Sequence, residues 1–151
     1  MNKFSKLLQS FLIDYIIGEC NCSLNTKSSY STTFYLLIEF LFKKYKIKSN
    51  EITFDNLNKE IIIEFLDYLE NDRKNSISTR NQRLASLKSF FKYVQYNEPS
   101  LFDLCIQILS IKNKKVPNKM ISYFSEEEIK IIISHLNKEN NLKYLILLCV
   151  L

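Results

Sequence analysis

Hydrophobic residues recur every three or four positions along most of the chain, the spacing that places them on one side of an α-helix. Polar residues fill the positions between them, so each helix is expected to bury one face and expose the other. Five helices are predicted on this basis, in chain order: Phe4–Ile17, a helix through Tyr30 to Tyr45, Leu57–Asp72, Thr79–Tyr96 and Pro99–Leu109.

The ends of these helices carry polar residues that can cap them. Ser23 or Asn25 is predicted to cap the second helix, and Ser78 the fourth, because a side-chain oxygen there accepts a hydrogen bond from an unpaired backbone N–H. A short extended segment, Glu51–Asp55, is predicted between the second and third helices.

The composition of the chain changes after Leu109. Residues 110–119 are polar and basic, include Pro117 and lack helical periodicity, which is typical of a linker. Ser125 and Glu128 then form the pattern of a capping box, predicting a helix to about Leu136. One more apolar helix is expected from about residue 140 to the end of the printed sequence. We expect that helix to dock on sequence beyond Leu151; the alternative is that it completes a small bundle.

Glycine is almost absent from the 151 residues, which contain 1 Gly, 2 Pro and no Trp. Phosphate-binding loops and tight hairpins depend on glycine, because it adopts positive φ angles without strain. The composition therefore excludes a P-loop and a dinucleotide-binding fingerprint, and it favours an all-α fold over a β meander.

The residues that usually bind metals or carry out catalysis are few. His135 is the single histidine, and the four cysteines are not spaced as zinc ligands: Cys20, Cys22, Cys105 and Cys149. Cys105 and Cys149 fall within apolar helical patterns and are predicted to be core residues. We therefore expect no metal, no cofactor and no catalytic residue in this chain. The apolar segments are also too short to cross a bilayer, so the expected location is cytoplasmic and the expected partners include no membrane.

Charge is distributed unevenly, although the net charge is only +5. Residues 51–72 contain seven acidic residues and one lysine, whereas residues 73–97 contain six basic residues and no acidic one. Clustered positive charge of this kind is typical of a surface that binds nucleic acid.

The first turns of the fourth helix contain the side chains that commonly read DNA bases. Hydroxyl, amide and guanidinium groups occupy residues 78–83, at the positive end of the helix dipole. The second helix begins with a similar polar segment, Thr26–Ser29. We expect Arg80, Gln82 and Arg83 to be free of acidic partners; the alternative is a solvated helix face with ordinary caps.

Several segments together resemble the tyrosine recombinases, the phage integrase family. The resemblance begins with Cys22–Tyr30 and Leu37–Leu41 and continues through Ile63–Leu69 and Ser76–Phe91. It ends with Ile121–Ile129, which resembles the start of the catalytic domain in that family.

The resemblance implies an all-α fold: a four- to five-helix core-binding bundle, a basic linker and the first helices of a truncated catalytic domain. The corresponding domains are 1–109, 110–122 and 123–151. Because the family's catalytic residues would follow Leu151, this chain alone is expected to be unable to cut DNA.

The resemblance also implies that the second and fourth helices face duplex DNA and that the linker crosses it. The expected partners are double-stranded DNA and other recombinase protomers assembled on it. The alternatives are a helical protein-interaction module and a natural truncated recombinase that competes at recombination sites. The expected DNA-binding residues are Thr26, Lys27, Ser28, Ser29, Arg73, Lys74, Ser78, Thr79, Arg80, Asn81, Gln82, Arg83, Lys88, Lys92, Lys112, Lys114 and Lys115.

Overall fold

The computed structural model describes residues 2–20, 23–116 and 125–138. The chain divides into two compact units, Met1–Val116 and Pro117–Leu151. The described part of the first unit contains five α-helices: α1 (Lys3–Ser10), α2 (Leu24–Tyr45), α3 (Lys59–Asn71), α4 (Ile77–Asn97) and α5 (Phe102–Leu109). The described part of the second unit contains α6 (Glu126–Lys138).

The predicted all-α class is confirmed, since the described residues include helices and turns but no strand. After α1 the chain continues as a wider π-helical segment, Phe11–Glu19, so the first predicted helix is present with a change of pitch. None of the helices in these ranges is long and apolar enough to cross a membrane.

Two local predictions are wrong. The N-cap of α4 is Ser76 rather than Ser78, because the Oγ of Ser76 accepts a hydrogen bond of 3.2 Å from the backbone N–H of Thr79. The segment predicted to be extended instead closes into a 3₁₀ turn at Phe54–Asn56. The side chain of Asn56 accepts a hydrogen bond of 2.9 Å from the backbone N–H of Thr53, which favours a turn over a strand here.

Phe90 of α4 lies at the centre of the core. Its ring centroid is 5.0 Å from that of Phe34, 5.4 Å from that of Phe11 and 5.9 Å from that of Phe4, all in edge-to-face contacts. These rings come from α1, the π-helical segment and α2, so one aromatic cluster joins most of the unit. Cys105 is fully buried as predicted, and burial raises the pKa of its thiol to about 11. Cys149 lies outside the described residues.

Helices α2 and α4 run side by side in the same direction. Ser29 near the start of α2 contacts Arg83 near the start of α4, and further along Phe34 contacts Phe90. Both helices therefore begin at the same end of the bundle. This arrangement places the two positive dipole ends close together, where they repel each other and attract an anion.

The capping box predicted for the second unit is present. The backbone N–H of Ser125 donates to the carboxylate of Glu128 at 2.8 Å, and the N–H of Glu128 donates to Ser125 Oγ at 3.2 Å. The helix predicted from about residue 140 lies outside the described residues, and the domain boundaries given above stay predictions.

Candidate nucleic-acid interface

The first turns of α2 and α4 have the same capping geometry. Ser23 and Ser76 each accept a hydrogen bond of 3.2 Å from the backbone N–H three residues later, at Thr26 and Thr79. Each serine hydroxyl also lies 3.0 Å from the hydroxyl of that threonine. The two threonine side chains thus contribute to caps, and the repeated Ser-x-x-Thr pattern is the sequence signal that identifies both helix starts.

A shallow cleft of about 340 Å³ lies between these two helix starts. We call it the interhelix cleft, and its lining is small or polar and contains no charged side chain. It is lined by Asn25, Thr26, Ser29, Tyr30, Gln82, Ala85 and Ser86. Of these residues, the sequence identified Thr26, Ser29 and Gln82; the other four depend on how the two helices pack, which periodicity alone does not specify.

Arg83 is half-buried and hydrogen-bonded to Ser29, which lines this cleft, but is not itself a lining residue. Its Nη1 donates hydrogen bonds to the backbone oxygen of Ser29 at 2.9 Å and to the hydroxyl of Thr33 at 3.3 Å, so it joins α4 to α2. Burial lowers the pKa of the guanidinium, which still carries its charge at neutral pH. No carboxylate pairs with it within the described ranges. A positive charge with no paired carboxylate therefore lies next to a residue that lines the cleft.

Gln82 projects into the interhelix cleft and is exposed. The one hydrogen bond of its side-chain amide among the described residues is a long contact of 3.4 Å from Nε2 to Ser29 Oγ. Most of the hydrogen-bonding capacity of its amide is therefore available to a ligand.

Arg80 does not occupy the exposed position that the sequence predicted. Its side chain is only 4% exposed, and its Nε lies 3.7 Å from the carboxylate of Glu70 in α3. Because Arg80 is on the side of α4 that faces α3, its guanidinium cannot reach a base edge. This result corrects the expectation that Arg80 is exposed and free of acidic partners.

Asn81 is also engaged within the protein. Its side chain donates to the backbone oxygen of Lys114 at 2.7 Å and accepts from the backbone N–H of Lys114 at 3.1 Å. The Nζ of Lys114 in turn lies 2.7 Å from the carboxylate of Glu70. Neither Asn81 nor Lys114 is therefore free in the way the sequence suggested.

Arg73, in the turn before α4, is paired as well, with its Nη1 3.3 Å from the carboxylate of Glu39. The neighbouring Lys74 is exposed and adopts a left-handed backbone conformation with φ of 55°. The other predicted cations have no ion pair within the residues described: Lys27, Lys88, Lys92, Lys112 and Lys115. Ser28 and Ser78 are exposed on the first turns of their helices.

Three of the four acidic residues of α3 have basic partners, and none of the four lines the interhelix cleft. Glu64 pairs with Lys44 at 2.7 Å, and Glu70 pairs with Lys114 and Arg80. There is no acidic residue in the sequence from Ser23 to Ile38 or from Arg73 to Asn97. The surface around the starts of α2 and α4 is thus supplied by two segments that contain only neutral and basic residues.

Comparison with known proteins identifies the family. Residues 8–100 match the family model described as the phage integrase N-terminal SAM-like domain. The chain belongs to the tyrosine recombinase, or phage integrase, family. The matched region includes the whole of α2, α3 and α4, so both helices that form the interhelix cleft lie within this phage integrase domain.

Two curated relatives from Sinorhizobium fredii (strain NBRC 101917 / NGR234) agree with this assignment. The chain is 30% identical over 127 residues to "Putative integrase/recombinase y4rD" and 27% identical over 128 residues to "Putative integrase/recombinase y4rC". The alignments cover 84% and 85% of this chain but only 45% and 39% of the two relatives. The chain therefore spans less than half the length of these integrase relatives. No solved structure matches it.

Proposed function

We propose that residues 2–116 bind duplex DNA and position it for strand cleavage and exchange by the rest of a site-specific recombinase. In this proposal the starts of α2 and α4 face the DNA. The chain contributes binding and part of the site recognition. Other recombinase protomers assemble beside it on the same DNA.

One observation carries the proposal: two parallel helices begin together, and the segments that form their first turns contain no acidic residue. Placing two positive dipole ends and the half-buried Arg83 guanidinium side by side is unfavourable in isolation. A phosphate backbone removes that penalty by supplying negative charge at the same place. Lys27, Lys88 and Lys92 have no ion pair within the described part and supply further phosphate contacts.

Within this surface we assign base recognition to Gln82. Arg80 is held by Glu70, Asn81 by Lys114 and Arg83 by Ser29, so Gln82 is the side chain in residues 80–83 whose polar groups are mostly available. A glutamine amide pairs with adenine through one donor and one acceptor in the major groove. Gln82 should therefore favour an A·T pair at one position of the site.

Selection from a randomised duplex library tests this assignment. Gln82→Ala should abolish the preference at that single position and cost about 1–3 kcal/mol against the preferred sequence. Lys92→Ala, the matched control, should weaken binding to all sequences alike. An unchanged preference in Gln82→Ala would remove Gln82 from this role.

A titration of the isotope-labelled chain with a mixed-sequence duplex tests the surface itself. Backbone amide resonances of residues 23–30 and 76–92 should shift, whereas those on the outward side of α3, such as Glu60 and Ile63, should not. Shifts that centre on α3 would contradict the proposal. No shifts at all would favour the alternative of a protein-interaction module, although the pairing of Glu64 and Glu70 with lysines disfavours binding through α3.

A further inference from the structure

We propose that residues 111–115 are a fixed strap on the helical unit, and that Asn81 is the residue that positions it. These residues were predicted to be part of a basic linker. The role of the strap in DNA binding rests on the proposed function: the strap presents Lys112 and Lys115 beside the start of α4.

The contact between Asn81 and Lys114 is the main support for the strap. The amide of Asn81 satisfies both backbone groups of Lys114, with distances of 2.7 Å to its oxygen and 3.1 Å from its nitrogen. A side chain that pairs with the N–H and the C=O of one residue restricts the backbone there much as a neighbouring β-strand would. The two residues are 33 positions apart in sequence, so this contact fixes the path of the chain after α5.

Two more anchors hold the same short segment. Ile111 is 5% exposed and belongs to the hydrophobic core. The Nζ of Lys114 lies 2.7 Å from the carboxylate of Glu70 and 3.7 Å from that of Asp67, both in α3. The strap thus has an apolar anchor, a backbone anchor and an ionic anchor within four residues.

The anchors leave Lys112 and Lys115 exposed, with no ion pair within the described ranges. Their Cα atoms lie within about 8 Å of that of Lys114, because consecutive Cα atoms are about 3.8 Å apart. Lys114 itself contacts the residue next to Gln82. Two cations are therefore held near the proposed DNA-binding surface before DNA arrives, which reduces the entropy lost on binding.

Amide hydrogen exchange on the full chain without DNA tests the strap alone. The Lys114 amide should exchange at least about fivefold more slowly than an unprotected amide, and Asn81→Ala should remove that protection. Asn81→Asp keeps a side-chain oxygen that can accept from the Lys114 N–H, and it should retain most of the protection. Ser78→Ala, a substitution at an exposed residue of the same helix, is the control for a general loss of stability in α4. A Lys114 amide that exchanges freely in the unchanged protein would overturn the proposal.

Binding to a mixed-sequence duplex tests the consequence. Asn81→Ala should weaken binding about three- to tenfold for all sequences alike, with the same dependence on salt, because no charge is removed. A changed base preference would instead make Asn81 a reading residue and overturn its positioning role.

Lys112→Ala combined with Lys115→Ala should reduce the slope of log K against log salt by about 1.8. Alanine substitution of both Lys6 and Lys48, which lie on other elements, should leave the slope unchanged. An equal reduction of the slope in this control variant would contradict the placement of the strap. If the unchanged chain binds no DNA, the proposed function fails, whereas the exchange experiment still decides whether the strap exists.

Discussion

The contact between Arg80 and Glu70 is the one where a single substitution is expected to affect stability most. The guanidinium of Arg80 is almost fully removed from water, and its nearest carboxylate belongs to Glu70, whose side chain is about one quarter exposed. A charged group in this position costs free energy unless an opposite charge or hydrogen bonds compensate it. Arg80 is thus a structural residue that joins α3 to α4.

Glu70→Gln should lower the free energy of unfolding by about 1–3 kcal/mol, because it leaves the charge of Arg80 uncompensated. Combining it with Arg80→Met should restore stability to within about 1 kcal/mol of the unchanged protein. Urea unfolding followed by circular dichroism measures both. Lys114→Gln, which removes the exposed partner of Glu70, is the control and should cost less than about 1 kcal/mol. Equal losses from Glu70→Gln and Lys114→Gln would contradict this role of Arg80.

At the scale of the helix, the start of α4 determines which side chains face the interhelix cleft. Ser76 caps the helix through the backbone N–H of Thr79, as Ser23 caps α2 through that of Thr26. Both caps hold the first turns in place at the proposed DNA-binding surface.

Ser76→Ala should reduce the free energy of unfolding by about 1 kcal/mol, because the N–H of Thr79 loses its acceptor. Ser78→Ala should change it by no more than a few tenths of a kcal/mol, since Ser78 is exposed in the first turn and does not cap the helix. Urea unfolding of the two variants measures the difference. A larger loss of unfolding free energy in Ser78→Ala than in Ser76→Ala would mean that Ser78 is the N-cap.

Ion pairs join the last turns of α2 to α3 and to the turn that follows α3. Glu39 binds Lys43 and Arg73, and Glu64 binds Lys44 and the hydroxyl of Tyr45. The hydrogen bond from Lys43 holds the pKa of Glu39 below its usual 4.5, and the hydrogen bond from Lys44 does the same for Glu64. A carboxylate whose pKa is lowered by folding stabilises the folded state above the unfolded pKa.

This contribution should be complete above about pH 4.5 and lost as the pH falls through the lowered folded-state pKa values. The urea midpoint should therefore decrease between about pH 6 and about pH 3. Glu39→Gln combined with Glu64→Gln should make that decrease shallower. The change Glu60→Gln, at an exposed acid with no ion pair among the described residues, is the control. If the double variant shows the same decrease of the urea midpoint at acidic pH, these two carboxylates do not cause that decrease.

Helical segments could be predicted from sequence because their signal is local. The spacing of Leu84, Leu87, Phe91 and Val94 within α4 is enough to indicate a helix and its buried side. The capping box at Ser125 is equally local. Contacts such as Asn81 with Lys114 could not be predicted, because they depend on which residues 33 positions apart meet in the folded chain.

The same limit applies to the candidate site. Sequence placed Gln82 and Ser29 at helix starts, but it could not show that these starts lie side by side and enclose a cleft. It also treated every cation of the basic region alike. Packing divides them into a buried group, a paired group and a free group, exemplified by Arg80, Arg73 and Lys92.

On the scale of the whole molecule, charge is separated between opposing segments. The acidic α3 pairs with Lys44, Arg80 and Lys114, while Lys27, Lys88 and Lys92 of α2 and α4 have no ion pair within the described residues. In the proposed function, this distribution directs a polyanion to one surface of residues 2–116. Membership of the phage integrase family makes duplex DNA the polyanion of the proposal.

The salt dependence of duplex binding tests this claim most directly. Measured by fluorescence anisotropy between about 50 and 200 mM salt, log K should fall with a slope of about −4 to −5, corresponding to roughly five phosphate contacts. Changing Lys27, Lys88 and Lys92 to alanine together should make the slope shallower by about 2.7, whereas changing Lys6, Lys48 and Lys59 should not alter it. A slope near zero, or an equal effect of the two triple variants, would contradict the account.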